Sequence, residues 1–367
     1  MKIKTTALLL TVCLALTLAA GSCTSQNTNS SGASKILLTD TLARQVEVTS
    51  PVKGVVAIGP GSLRLYCYVN GIDKLVGVEN FEKTSPIGRP YYLAYPELAN
   101  LPIIGNGGPN STPDAEKILS VKPDVIFADS SLDKAAADSL QAKTGIPVVV
   151  LNYGALGTFD QTAYASINMI GKVMGQEQRS QAVVEYMEKC KQDLGDRTRA
   201  IPDNQKPSVY VGAVGMKGTH GIQSTQAQYP PFVAVHARNV VDETGKSGSI
   251  TIDLEKLISW NPDKIFIDEA GFALVQQDYG KNSSYYKNLA AVKNTELYGI
   301  LPFNYYTTNL DTAMADAYYI GKIIYPEQFK DIDPEKKADE IYTFLNGKPV
   351  YSQMAKDFGG FKKLSME

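Results

Sequence analysis

The sequence predicts an α/β fold of two lobes with parallel-rich sheets, joined by a long helical connector, with a ligand cleft between them. Three observations carry this. Residues 112–129 (TPDAEKILSVKPDVIFAD) return as residues 251–268 (TIDLEKLISWNPDKIFID), with ten of eighteen positions identical and most others exchanging one apolar residue for another. Short β-branched runs alternate with helical patterns around both copies, as in a parallel sheet. A long stretch of helical periodicity lies between the copies. The spacing is far too wide for a solenoid, so the chain reads as one Rossmann-like lobe built twice. Facing lobes make a cleft, where small ligands bind.

The chain starts with an address. Lys2 and Lys4 precede an apolar run, residues 7–20, that is short for a membrane span but suits a signal-peptide core. Ala20-Gly21-Ser22 stands directly before Cys23, an arrangement that resembles a bacterial lipobox, with Cys23 as the lipidated mature N-terminus. Residues 1–22 are therefore read as signal peptide and 23–34 as lipidated N-terminus and flexible polar tether. Residues 35–156 form the first lobe, 157–203 the helical connector, and 204–367 the second lobe with terminal helices.

Composition narrows the function. Apolar residues make up 44% and charged residues 20%, with a net charge of −2, ordinary values for a globular protein. No basic patch points to nucleic acid. Two histidines, His220 and His236, and four cysteines are too few for a zinc-finger, zinc-hydrolase or naked-metal receptor site. Cys67 and Cys190 sit in apolar helical surroundings and read as buried thiols, with a disulfide left open.

In the first lobe, strands are expected at residues 55–59, 75–78, 103–105 and 148–151, beside the strand of the repeat copy. Helices are expected at 63–69 and 132–144. Each repeat copy predicts a Thr cap, an acidic first turn, a short amphipathic helix, a Pro-Asp turn and a buried strand. Thr158 to Gln161 fits a capping box opening the connector. Ala163, Ile167, Ile170 and Met174, then Val183, Met187, Cys190 and Leu194, fall at helical spacing either side of Gly175. The second lobe adds strands at 209–214 and 298–301 and helices at 310–325 and 333–345. Trp260 reads as core and His236 as packing.

The paired E-K-[IL]-[LI]-S-x-x-P-D-x-I-F segments, the lipobox-like start and the helical connector together resemble a family: the substrate-binding lipoproteins of ABC importers for iron–siderophore, haem and cobalamin-type compounds. The resemblance spans nearly the whole mature chain. It implies a binding protein rather than an enzyme, tethered outside the cell membrane, acting as a monomer with an ABC permease and its ATPase. The implied ligand is a metal chelate, with a ferric siderophore as the first choice and haem or a corrinoid as the alternative. A chelatase-like enzyme of similar lobes is the alternative class, disfavoured by the anchored start. No intrinsic cofactor is expected. The resemblance also assigns Glu116 and Glu255 to docking on permease arginines, one carboxylate per lobe.

In parallel α/β lobes the ligand sits beyond the carboxyl ends of the strands. That selects Ser62 and Arg64 after the first strand, then Arg89, Tyr91, Tyr92, Asn106 and Tyr153. In the second lobe it selects Met216, Lys217, His220, Tyr229, Glu269, Asn304, Tyr305 and Tyr306. Tyrosines outnumber phenylalanines 21 to 11, and a tyrosine offers both a stacking face and a phenol. Arg64 and Arg89 are the candidates for a ligand carboxylate or phosphate. His220 is a candidate ligand contact in a Gly-rich stretch.

Overall fold

The computed structural model describes residues 34–84, 86–155, 157–215 and 217–366. The segments expected to be signal peptide and tether, up to residue 33 and including Cys23, lie outside the described residues, as does Met216. The first elements are β1 (Ser34–Thr39) and β2 (Gln45–Ser50), an antiparallel hairpin whose Val46 and Val48 point inward between exposed neighbours. Sequence patterning had suggested no strand before residue 55.

β3 (Val55–Ile58), β4 (Val125–Asp129) and β5 (Val148–Leu151) form the parallel sheet of the first lobe, in that order. The expected strands at 75–78 and 103–105 are reduced to isolated parallel bridges, Val55 to Leu75 and Val78 to Ile103. Gly77 and Pro102 explain this: one weakens a strand and the other cannot donate to a ladder. Beyond the connector come β6 (Ser208–Gly212), β7 (Ser224–Ala227), β8 (Arg238–Asn239), β9 (Gly248–Thr251), β10 (Lys264–Asp268), β11 (Leu297–Ile300) and β12 (Lys362–Lys363). Five of these make a sheet in the order β12-β11-β10-β6-β8, parallel except for β12, while β7 and β9 pair separately. β3 and β6 are buried at every position, as parallel strands covered on both faces must be.

The two lobes share one strand order. The 75–78 segment, β3, β4 and β5 correspond to β8, β6, β10 and β11. The repeat copies occupy equivalent places, as helix Ala115–Ser120 before β4 and helix Leu254–Trp260 before β10. Their caps differ from expectation. The N-cap residues are Asp114, which accepts from Lys117 N at 3.1 Å, and Asp253. Thr112 is held extended by Pro113, and Thr251 is the last residue of β9.

The connector is helix Gln161–Met174 followed by helix Glu177–Thr198, broken by Gly175 in the left-handed region. Its predicted apolar positions are all buried. The capping box is not formed: Asp160 is the N-cap, accepting from Thr162 N at 2.8 Å, and the Thr158 hydroxyl is buried without a partner. Cys67 and Cys190 are free and buried. Trp260 is only half-buried, with Nε1 donating to Glu243 Oε2 at 3.1 Å. His236 is exposed rather than packed, its Nδ1 2.8 Å from Thr198 Oγ1 at the end of the connector.

One apolar core runs through both lobes. It contains Leu65 and Phe127 of the first, Val211 and Phe266 of the second, Met187 of the connector, and Met314 and Ile341 of the terminal helices. Helix Pro334–Asn346 packs on helices Ser62–Asn70 and Pro90–Ala94 of the first lobe. Arg179 of the connector donates to Tyr68 O at 3.0 Å and to Phe344 O at 2.6 Å. The C-terminal helices thus complete the packing of the first lobe. Among the described residues no helix is long and apolar enough to cross a membrane.

Candidate functional site

In each lobe the strand order reverses at a switch point, between β3 and β4 and between β6 and β10. There the loops diverge and leave a crevice beyond the strand ends. The two crevices differ. That of the first lobe is filled: Gly61 has φ +83, and a Cβ on it would lie 2.4 Å from Thr307 Cγ2 and 2.6 Å from the Tyr153 hydroxyl. That of the second lobe is open. Gly215, Lys217, Gly218, Thr219, Asp268 and Ala270 border a cavity of ≈ 860 Å³. Pro60, Phe81, Arg89 and Pro109 of the first lobe close its other side, and Asn304 to Thr307 form the wall between.

Arg64 does not reach this cavity. It is fully buried and gives all five guanidinium protons to a single loop and its neighbours. Nε donates to Asn309 Oδ1 at 2.8 Å, and the two terminal nitrogens to Tyr153 Oη and the carbonyls of Tyr305, Tyr306 and Thr308. The expectation that it contacts ligand is corrected to a clamp on the 305–309 loop. The clamp has local work to do, because Tyr306 and Thr307 have φ 54 and 68, conformations that cost energy without glycine. Asn309 extends the tie by donating to Gly88 O at 3.0 Å.

Arg89 does border the cavity, beneath two rings. Its guanidinium carbon is 4.6 Å from the Phe81 ring centroid and 5.2 Å from that of Tyr306. One terminal nitrogen meets Glu82 Oε2 at 2.6 Å, and Nε has no partner among the described residues. Tyr91 donates to the same Glu82 oxygen at 2.7 Å and is wholly buried. Glu79, which the sequence reading passed over, supports the rings from below. It accepts from Tyr306 Oη at 2.8 Å and from Gly59 N at 3.0 Å, and burial pushes its carboxyl up to about 7. Its signal was an acid directly after the short Leu75-to-Val78 run. Phe81 was missed too, and only its nearness to Arg89 hinted at it.

On the opposite wall Lys217 is exposed, in the left-handed region at φ 52, and makes no ion pair among the described residues. Asp268 ends β10. Its Oδ1 accepts from Ala270 N at 3.0 Å and its Oδ2 from Gly215 N at 3.3 Å, and burial pushes it up to about 7. Asn304 donates to Gly215 O at 3.3 Å, and Tyr305 lies over Gly88, where a Cβ would come within 2.8 Å of the ring. The walls are aromatic and the loose charge is positive.

The remaining predicted residues lie elsewhere. Tyr92, Tyr153 and Tyr229 belong to the core, Tyr229 against Phe232 and Phe303. Ser62 is buried with an unpartnered hydroxyl. Asn106 is exposed, its carbonyl accepting from Phe81 N at 2.8 Å. Glu269 is buried away from the cavity, its nearest cation Lys362 at 3.9 Å, and burial pushes it up to about 8. His220 lines a separate surface groove with Asp253 and Glu255. Arg89, Lys217, Asn304, Tyr305 and Tyr306 are the expected residues that meet around the cavity. Glu116 and Glu255 are both exposed, each at the second position of its repeat helix, and neither forms an ion pair among the described residues.

A family model described as periplasmic binding protein matches residues 55–302. The molybdate-binding protein MolA of Haemophilus influenzae is 25% identical over 334 residues, covering 83% of this chain and 89% of its own. The iron(3+)-hydroxamate-binding protein FhuD of Bacillus subtilis is 26% identical over 282 residues, covering 72% and 78%. A periplasmic solute binding protein from Veillonella parvula superposes with a TM-score of 0.69 at 18% identity, over 89% of this chain and 97% of its own.

Proposed function

This chain belongs to the periplasmic binding protein family, and from that premise we propose that its cleft captures an anionic ferric chelate, a siderophore first, for delivery to an ABC permease. The family is one of solute-binding proteins, not enzymes. The observation that carries the ligand class is the ≈ 860 Å³ cavity with Phe81, Tyr305 and Tyr306 on its walls and Arg89 and Lys217 at its edges. That volume suits a ligand of drug-like size. Rings offer faces to a flat or chelated ligand, and Lys217, which forms no ion pair among the described residues, favours negative charge at the edge, while the charge of Arg89 is already met by Glu82.

A small oxyanion is the second reading, favoured by the likeness to MolA over most of both chains. A single oxyanion leaves most of the cavity unfilled and makes no use of three rings. Haem and corrinoids are the remaining alternatives on size. Delivery rests on Glu116 and Glu255 docking to permease cations, and residence at the outer membrane face rests on Cys23.

Native mass spectrometry tests the reading with a panel of ferric citrate, ferric hydroxamates, ferric catecholates, haem, cobalamin and molybdate. We expect an anionic ferric chelate to bind most tightly, and Arg89→Ala or Lys217→Ala to weaken it. Preferential retention of molybdate, or of an uncharged corrinoid, overturns it.

A further inference from the structure

Duplication left two acids in equivalent places, Asp129 at the end of β4 and Asp268 at the end of β10. Both cap the turn that follows, Asp129 accepting from Ser131 N at 2.8 Å and Asp268 from Ala270 N at 3.0 Å. That shared bond accounts for an aspartate at each position. It does not account for the difference between them. Asp129 stands at the filled crevice. Asp268 stands at the open one, 5% exposed, on the wall of the ligand cavity.

The surroundings of Asp268 are wrong for a carboxylate. Among the described residues its one other acceptor contact is the long 3.3 Å bond from Gly215 N to Oδ2. No described cation forms an ion pair with it. The groups facing it are acids and phenols: Glu269 beside it, Asp316 of helix Leu310–Ile324 behind it, and Tyr229 and Tyr305 from the flanking loops. Asp316 is itself fully buried with Oδ2 unpartnered. Lys217 borders the same cavity, and among the described residues no ion pair or hydrogen bond joins it to the carboxyl. An unpaired buried charge is costly, and such a group takes a proton instead. Burial pushes Asp268 up to about 7.

We propose that Asp268 is a specificity-determining residue of this cleft, presenting a protonated carboxyl that donates a hydrogen bond to an anionic ligand, so that capture retains one proton taken from solvent. The Oδ2 oxygen, with the weaker existing bond, carries the proton. The inference rests on the anionic-ligand reading above. It adds a donor on the wall of the cavity that Lys217 also borders, and it makes the cleft select anions most strongly below neutrality. An ionised Asp268 would instead repel the ligand.

The test uses the full-length protein, Asp268→Asn and Asp268→Ala, with ferric citrate and molybdate as probes. In wild type, affinity for whichever probe binds should weaken about tenfold between pH 6 and pH 8, since the neutral fraction of a group near 7 changes by that factor. Calorimetry in two buffers of different ionisation enthalpy should show close to one proton taken up at pH 8. Asp268→Asn, a permanent donor, should bind with little pH dependence, and Asp268→Ala should bind weakly throughout. Affinity that rises with pH, or Asp268→Asn retaining the wild-type profile, overturns the proposal. A ligand-free arm stands apart from the probes. The infrared band of neutral carboxyls at pH 6 should lose intensity in Asp268→Asn, and an unchanged band shows an ionised Asp268 and refutes it. Failure of both probes to bind, with that band lost, counts against the ligand reading and not against the protonated aspartate.

Discussion

Arg64 Nε and Asn309 Oδ1 meet at 2.8 Å in a fully buried bond between the first helix of one lobe and the loop that walls the cleft from the other. Every remaining Arg64 donor goes to Tyr153 or to carbonyls of that loop. Arg64→Ala would leave these acceptors buried and unpaired. We expect a loss of about 3–5 kcal/mol of stability, read as a lower urea midpoint without any ligand present. Arg64→Lys should recover little, since three donors on a flexible stem cannot replace a five-proton fork. An unchanged midpoint in either variant would remove the clamp.

Stability should fall as pH rises through neutrality. Burial holds the carboxyls of Glu79 and Asp268 up to about 7 and that of Glu269 up to about 8, against an ordinary value near 4 in the unfolded chain. Between those limits the native state binds more protons than the unfolded one, so their contribution is full below about pH 4 and lost as pH passes 7 to 8. Exposed acids held low by neighbours, such as Asp331 beside Arg197, act the opposite way and only below pH 4. The melting temperature should therefore be higher at pH 5.5 than at pH 8.5, and Glu79→Gln should narrow the gap. A melting temperature that climbs with pH contradicts this.

The repeated segment made the two lobes, their parallel-rich sheets and the connector legible, because periodicity and duplication are properties of the chain itself. Much of the site was not. Arg64 and Arg89 follow similar local cues, yet one is spent on a loop 241 to 245 residues away and only the other borders the cavity. Tyr229 and Tyr305 both sit in loops; only packing against Phe232 and Phe303 decides that the former is core. The hairpin before residue 50 alternates over only a few residues, too few to stand out from the polar stretch preceding it. Asp114 took the cap expected of Thr112 because the following proline restricts the threonine.

Gly88→Ala should narrow the cleft. Gly88 has φ +76, and an added Cβ would lie 2.8 Å from the Tyr305 ring. Relief requires a shift of this ring, which is part of the cavity wall. The left-handed backbone alone costs about 1–2 kcal/mol. We expect weaker binding of bulky chelates than of molybdate, measured side by side. An equal effect on both would mean that the ring does not shift.

Cys23→Ser should move the protein from membrane to soluble fractions. The prediction rests on the short apolar run and the small residues before Cys23, and membrane association that survives the substitution would end it.

Docking should be separable from capture. Glu116 and Glu255 occupy matching positions, exposed and without an ion pair among the described residues, on helices that the duplication placed one per lobe. A lone first-turn glutamate needs no partner to explain it, since it complements the helix N-terminus. Two at equivalent sites fit a receptor surface with paired cations. Glu116→Ala with Glu255→Ala should leave chelate affinity and melting temperature nearly unchanged. Loss of both charge pairs at the interface should cost about 2 kcal/mol or more, roughly thirtyfold in stimulation of the permease ATPase. A charge-reversed pair, Glu116→Lys with Glu255→Lys, should be worse still through repulsion. Full transport by the double alanine variant would leave both glutamates with helix capping as their whole role.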